Sequence, residues 1–240
     1  MKRIKKLLES SHARSKSDHY ILEHPKSLLH LCQTQPDQVS KIYYREDIDP
    51  TIRDQIPTSI RQEEVSKQHF QTLKTVKTSQ GLIGLCNKNW TTITTSPTGS
   101  IALLDGIQDP SNVGAIIRSA VAFNVQAIVL TSTCADPYHP AAIRSAAGLT
   151  THIDLIKWTD AIPTWLAAIP TYALSPHAKK TTNTLSKEVA CIILGGEGNG
   201  ISQETLTSLQ VTNIRIPMSA KAESLNVAVT AGIIFSQLVS

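Results

Sequence analysis

After residue 100 the chain alternates short apolar runs with stretches of helical period. Ile101-Ala102-Leu103-Leu104, Ala127-Ile128-Val129-Leu130, Ile153-Asp154-Leu155-Ile156, Thr171-Tyr172-Ala173-Leu174, Ala190-Cys191-Ile192-Ile193-Leu194 and Ile214-Arg215-Ile216 read as strands. Residues 112–123 place Val113, Ile116, Ile117 and Ala120 on one helical face. Residues 140–147 and a closing stretch, 224–239, also read as helix. Apolar strands alternating with helices predict an α/β domain with a mostly parallel sheet and helices on both faces.

The front of the chain has a different rhythm. Ile4, Leu7 and Leu8 mark a short amphipathic helix, with Lys and Arg on its other face. Residues 27–32 look like part of a second helix, 39–44 alternate like a strand, and 81–86 read as a buried strand. Residues 49–57 read as loop. The run 91–100, Thr-Thr-Ile-Thr-Thr-Ser-Pro-Thr-Gly-Ser, is polar and lacks helical period, so it reads as a linker, alone or with a short edge strand. The expected organisation is a small α/β domain over 1–90, a linker over 91–100 and a larger α/β domain over 101–240.

Charge separates the two halves. The 240 residues carry a formal charge of +4. Residues 1–100 are net +5 and residues 101–240 are net −1. A basic front suggests a polyanion partner, although a solvated basic surface has the same sum. With 41% apolar and 18% charged residues the chain is not disordered. No apolar run approaches the roughly 18 residues of a membrane span, and none of signal-peptide length follows the basic start. The expected location is the cytoplasm. Cys32, Cys86, Cys134 and Cys191 form no Cys-x-x-Cys pair and read as buried small hydrophobes. Nothing in the His spacing argues for a metal.

Polar residues and glycines interrupt the chain after three strands. Residues 105–118 run Asp-Gly-Ile-Gln-Asp-Pro-Ser-Asn-Val-Gly-Ala-Ile-Ile-Arg, with Asn112 as a candidate N-cap. Residues 194–202 hold four glycines around Glu197, but they fail the dinucleotide spacing and lack the ending of a P-loop. Residues 216–229 begin Ile-Pro-Met and continue through Ser224-Leu225-Asn226-Val227, with Ser224 as a candidate N-cap.

Together these segments resemble the three motifs of the SpoU family of RNA ribose methyltransferases, within the SPOUT class. The likeness covers about residues 101–240, and its motifs stand at 109–118, 195–200, and 216–218 with 224–227. Residues 1–90 resemble that family's N-terminal RNA-binding domain. The nearest branch acts on a guanosine ribose of large-subunit ribosomal RNA. Three positions depart from the family pattern. Glu23-His24 stands where Glu-Gly is usual, Ala220 stands where Gly is frequent, and Asn124 stands where Gly usually follows Phe123. Asparagine tolerates a left-handed turn.

The resemblance implies methyl transfer from S-adenosylmethionine to a ribose 2′-hydroxyl, without a metal. It implies a cofactor site at Gly195, Gly196, Ile216 and Leu225, with Leu174 as a looser candidate. The matching catalytic positions are Asn112, Arg118, Glu197, Ser224 and Asn226. It also implies a C-terminal trefoil knot and a homodimer with sites near the subunit interface. Lys2, Arg3, Lys5, Lys6, Arg14 and Lys16 would contact RNA phosphates, and Arg144 is a further RNA-contact candidate. Aromatics are only 5%, which disfavours a base-stacking platform. The alternatives are a transfer RNA ribose methyltransferase and a non-catalytic RNA-binding or ribosome-assembly factor on the same fold. A nicotinamide oxidoreductase is disfavoured by the glycine spacing.

Overall fold

The computed structural model describes residues 2–73, 80–158, 164–186, 188–219 and 221–238. Ala220 lies outside them. Two compact units are present: Met1–Lys88 with Pro137–Thr151, and Asn89–Asp136 with His152–Ser240.

The first unit holds strands β1 (His19–Leu22), β2 (Val39–Arg45), β3 (Gln62–Val65) and β4 (Leu82–Asn87) in the order β1-β4-β2-β3. Strand β4 runs antiparallel to both neighbours, and β2 and β3 are parallel. The Lys2–Glu9 helix buries Ile4 and Leu7 against Tyr43, Phe70 and Ile83, as its apolar spacing predicts. One short helix, Pro50–Arg53, lies in the stretch that reads as loop. Asp49 caps it, its side chain accepting from Thr51 N, and Pro50 supplies a preset φ.

Residues 137–151 belong by packing to this first unit, although their sequence position groups them with 101–240. The rings of Tyr138 and Tyr20 stand 4.8 Å apart. Ser27 Oγ donates to the Ala147 carbonyl at 2.9 Å. Gly148 has a φ of +75°, and a Cβ there would fall 2.5 Å from Ser27 Cβ. Arg144, in the last turn of the Pro140–Ser145 helix, is therefore an exposed residue of this unit.

The second unit carries β5 (Ile101–Asp105), β6 (Ala127–Leu130), β7 (Asp154–Lys157), β8 (Thr171–Leu174), β9 (Lys180–Thr181), β10 (Cys191–Gly195) and β11 (Val211–Arg215). Their order is β7-β6-β5-β10-β8-β11-β9, and every pair is parallel. Ile101 to Leu104 are all wholly buried, so both faces of β5 are covered. On one face Leu103, Val129, Ile193, Trp165 and Leu209 share a core. The Pro110–Ala122 and Val227–Leu238 helices pack on each other, burying Ile116, Ile117, Ile234 and Phe235.

Residues 91–100 form neither helix nor strand but run along the sheet edge. Thr91 N donates to the Leu155 carbonyl at 2.8 Å, and Trp165 Nε1 to the Ile93 carbonyl at 2.7 Å. Asn124 ends the Pro110–Ala122 helix at a φ of +53°, the left-handed turn its residue type allows. Cys32, Cys86 and Cys191 are buried, and burial pushes each thiol up, Cys32 to about 11. Among the described residues, no helix is long and apolar enough to cross a membrane.

Candidate active site

Three loops leave the carboxyl ends of β8, β10 and β11, the end at which open parallel sheets bind ligands. They enclose a cavity of about 300 Å³. All five expected cofactor positions, Leu174, Gly195, Gly196, Ile216 and Leu225, line it. Glu197 and Ser224 line it too, whereas Asn112, Arg118 and Asn226 do not.

The β10 loop owes its shape to its glycines. A Cβ on Gly195 would fall 2.3 Å from the carbonyl carbon of Gly200, and one on Gly196 would fall 2.4 Å from the Gly106 oxygen. The reason for these two glycines is thus close approach of the protein's own backbone, not only access for a ligand. Gly200 supplies the turn at a φ of +66°, and Gly200 N donates to the Gly196 carbonyl at 2.9 Å. Gly198 has no neighbour within 4 Å of a built Cβ, so no packing demand explains it.

At the loop apex three polar side chains from separate elements converge. Glu197 Oε1 accepts from Asn112 Nδ2 at 3.0 Å and from Asn226 Nδ2 at 2.9 Å. Asn226 Nδ2 also donates to Asn112 Oδ1 at 3.1 Å. Asn226 Oδ1 accepts from Ala228 N at 2.9 Å and Val229 N at 3.3 Å, which fixes the orientation of the amide. So Asn226, not Ser224, caps the C-terminal helix, which begins at Val227. Likewise Asp109, not Asn112, caps the Pro110–Ala122 helix. Pro110 at the first helical position starts that helix two residues before the expected boundary. Asn112 is thereby free to reach Glu197.

Removing the Asn226 cap should cost about 1 kcal/mol of stability. Asn226→Ala is expected to lower both the melting temperature and any activity. Asn226→Ser should restore the cap and the melting temperature without the Glu197 contact. Calorimetry alongside an activity assay checks this, and recovery of full activity in the serine variant would deny the cluster a functional role.

Arg118 stands apart from the cluster. It is exposed and makes no hydrogen bond or ion pair with any described residue. Six positions beyond Asn112, it points about 120° away around the helix. The sequence assigned no role to Asp105, which is buried at the end of β5 and whose Oδ2 accepts from Ser202 N at 2.8 Å. An acid closing a wholly apolar strand was the available signal.

In the first unit Lys2, Arg3, Lys5, Lys6 and Lys16 are exposed. Arg3, Lys6 and Lys16 line a cavity of about 310 Å³ together with Asp18 and His19. Arg3 Nη2 donates to His19 Nδ1 at 2.9 Å, and burial and this guanidinium hold the imidazole below its ordinary pKa. Arg14 is corrected from the expected phosphate contacts. It is 5% exposed, and its Nη1 donates to the Leu7 carbonyl at 3.0 Å and the Leu8 carbonyl at 3.2 Å. It serves the end of the first helix. Among the described residues, no group of three or more His, Cys, Asp or Glu is placed to hold a metal ion.

The family model described as the SpoU rRNA Methylase family matches residues 99–236. The chain is 26% identical to the 23S rRNA (guanosine(2553)-2′-O)-methyltransferase RlmP of Bacillus subtilis, over 97% of this chain and 93% of that protein. It is 34% identical to an uncharacterized tRNA/rRNA methyltransferase of Synechocystis, over 55% of this chain and 49% of that one. Thus the chain spans nearly all of the Bacillus relative but about half of the Synechocystis one. A solved structure of the SpoU methyltransferase AviRb of Streptomyces viridochromogenes, in complex with AdoMet, superposes with a TM-score of 0.83 at 20% identity. It covers 99% of this chain and 96% of that chain, and at that identity the likeness speaks for the fold.

Proposed function

The chain belongs to the SpoU rRNA Methylase family, and from that membership and the geometry of its loops we propose that it transfers a methyl group from S-adenosylmethionine to a ribose 2′-hydroxyl of ribosomal RNA. A guanosine of the large-subunit RNA is the favoured target, on the likeness to the Bacillus enzyme over nearly the whole chain. The observation that carries the reading is the Asn112–Glu197–Asn226 cluster beside a cavity lined by every expected cofactor position.

The cavity fits the adenosyl part of the cofactor. Leu174, Ile216 and Leu225 supply apolar wall, and the glycine loop supplies backbone groups that no side chain covers. S-adenosylmethionine contributes an electrophilic methyl on a sulfonium, which the ribose oxygen attacks in line as the carbon–sulfur bond breaks. The protein must orient that hydroxyl and help its proton leave. Glu197 presents a fixed carboxylate, with Oε1 held by two amides and Oε2 unpartnered among the described residues. Arg118 is a poor base, because a guanidinium holds its proton too tightly to give it up. Its role in this reading is to bind the adjacent phosphate and stabilise charge developing on the ribose oxygen.

Separation of Arg118 from the cluster within one chain supports a homodimer, in which Arg118 of one protomer completes the loops of the other. Val229, an apolar side chain 52% exposed on the last helix, is consistent with such an interface. In the first unit Lys2, Lys5 and the cations around the Arg3–Lys6–Lys16 cavity would take RNA phosphates, with Arg144 as a further contact. These contacts should steepen the salt dependence of RNA binding.

Incubation with labelled S-adenosylmethionine and either 23S RNA or large-subunit particles tests the proposal. The expected product carries label in alkali-resistant dinucleotides, because a 2′-O-methyl blocks alkaline cleavage. No transfer to either substrate, with no cofactor binding at millimolar concentration, would favour the non-catalytic alternative.

A further inference from the structure

We propose that Asp105 is a positioning residue that clamps the glycine loop of the cofactor cavity at its far end. The inference rests on reading that cavity as the S-adenosylmethionine site. Among the described residues Asp105 is the only buried carboxylate, at 4% exposure. Burying a carboxylate is costly unless specific bonds compensate it, so its place at this point in the sheet calls for a reason. The fold sets Asp105 beside Gly195 at the ends of β5 and β10. Its main-chain carbonyl accepts from Gly196 N at 2.9 Å, where the loop departs. Its carboxylate accepts from Ser202 N at 2.8 Å, where the loop returns and the Gln203–Ser208 helix begins. One residue therefore holds both ends of the segment that carries Glu197.

The next residue completes the seat. Gly106 has a φ of +69°, Thr131 Oγ1 accepts from its N–H at 3.1 Å, and its carbonyl oxygen occupies the space a Cβ on Gly196 would need. With the loop pinned at both ends and seated on Gly106, Glu197 is delivered to Asn112 and Asn226 without a direct contact from Asp105. Hence Asp105 acts through the loop and not on the reacting atoms.

Two pairs of variants test the clamp. Asp105→Ala removes the acceptor, whereas Asp105→Asn keeps an oxygen for Ser202 N. Ser202→Pro deletes the donor N–H at a φ of −64°, which a proline ring adopts, and Ser202→Ala keeps that N–H while losing the hydroxyl that accepts from Thr205 N, a cap both variants lose alike. We expect Asp105→Ala and Ser202→Pro to raise the KM for S-adenosylmethionine at least about tenfold, the scale of one hydrogen bond to a charged acceptor. The KM for RNA should stay unchanged, and Asp105→Asn and Ser202→Ala should each keep most of the affinity for S-adenosylmethionine that Asp105→Ala and Ser202→Pro lose. Amide hydrogen exchange without cofactor gives an independent reading, with the Ser202 amide exchanging at least about tenfold faster in Asp105→Ala. Unchanged Ser202 exchange in that variant overturns the clamp, as does an Asp105→Asn protein as impaired as Asp105→Ala. A wild-type protein that binds no S-adenosylmethionine while Ser202 is protected overturns instead the reading of the cavity.

Discussion

Methyl transfer should fall by about a hundredfold to a thousandfold when Arg118 is replaced by alanine, with fold and cofactor binding intact. The size is that of losing one preorganised donor to developing charge. The selectivity follows from the structure. Arg118 is exposed and bonded to no described residue, so its removal should change stability by less than about 0.5 kcal/mol. Such a side chain holds no part of its own chain together, so a large kinetic effect in a variant that keeps its oligomeric state comes from the reaction. Arg118→Lys keeps the charge but loses the planar fork, so an intermediate rate is expected if a phosphate is gripped bidentately. Single-turnover methylation at saturating cofactor, with melting curves of each variant, decides the matter. Wild-type turnover in Arg118→Ala would remove Arg118 from the mechanism.

Gly195→Ala should weaken cofactor binding strongly where Gly198→Ala does not. A methyl at 195 would sit 2.3 Å from one backbone atom and 2.5 Å from the next, Ile201 N. Backbone cannot yield as a side chain does, so the loop must be rebuilt. Overpacking of this kind costs about 1–3 kcal/mol, and here the strain falls on the cavity wall. At 198 a methyl meets nothing within 4 Å. Titration calorimetry with S-adenosylmethionine should show the affinity of Gly195→Ala reduced about tenfold to a hundredfold, and that of Gly198→Ala within about twofold. Equal affinities would mean that the loop is softer than its packing indicates.

The central strands β5, β6 and β10 of the second unit were legible because they are buried on both faces, whereas the two-residue edge strand β9 was not read at all. Residues such as Ala102 and Leu104 are as apolar as their neighbours, and the helix over 110–122 shows its stripe without ambiguity. Strand β3 was not legible. Its sequence is Gln-Glu-Glu-Val at the edge of the small sheet, and only Val65 is buried. Strand β1, His-Tyr-Ile-Leu, was missed because His19 and Tyr20 open it and leave only two aliphatic residues as its signal. The motifs named Asn112, Glu197 and Asn226 among five candidate positions, and the structure brings these three together, but composition could not say which residue capped which helix. Asn112 and Ser224 have the right chemistry for a cap, and Asp109 and Asn226 won by position. Arg14 misled for a similar reason. A cation in a basic segment reads as surface until the carbonyls of Leu7 and Leu8 are seen to claim it. The packing of 137–151 with the front unit was invisible, since nothing local in a helix of Ala and Ile names its partner.

The order of the strands constrains how the second unit comes to be folded. Strand β10 lies between β5 and β8, both of which precede it in the chain. Ribosomes release β5 and β8 first, and each then offers an unpaired edge meant for a strand not yet made. Pairing between those two edges would be a kinetic trap, and parallel contacts at such sequence separation are slow to form. Insertion of β10 between them carries Gly195 to Asp105 and swings the glycine loop into place. A nascent chain therefore joins the β7-β6-β5 half of its sheet to β8 only once β10 is made, and the cavity closes later still, when β11 and the residues after it supply the remaining wall.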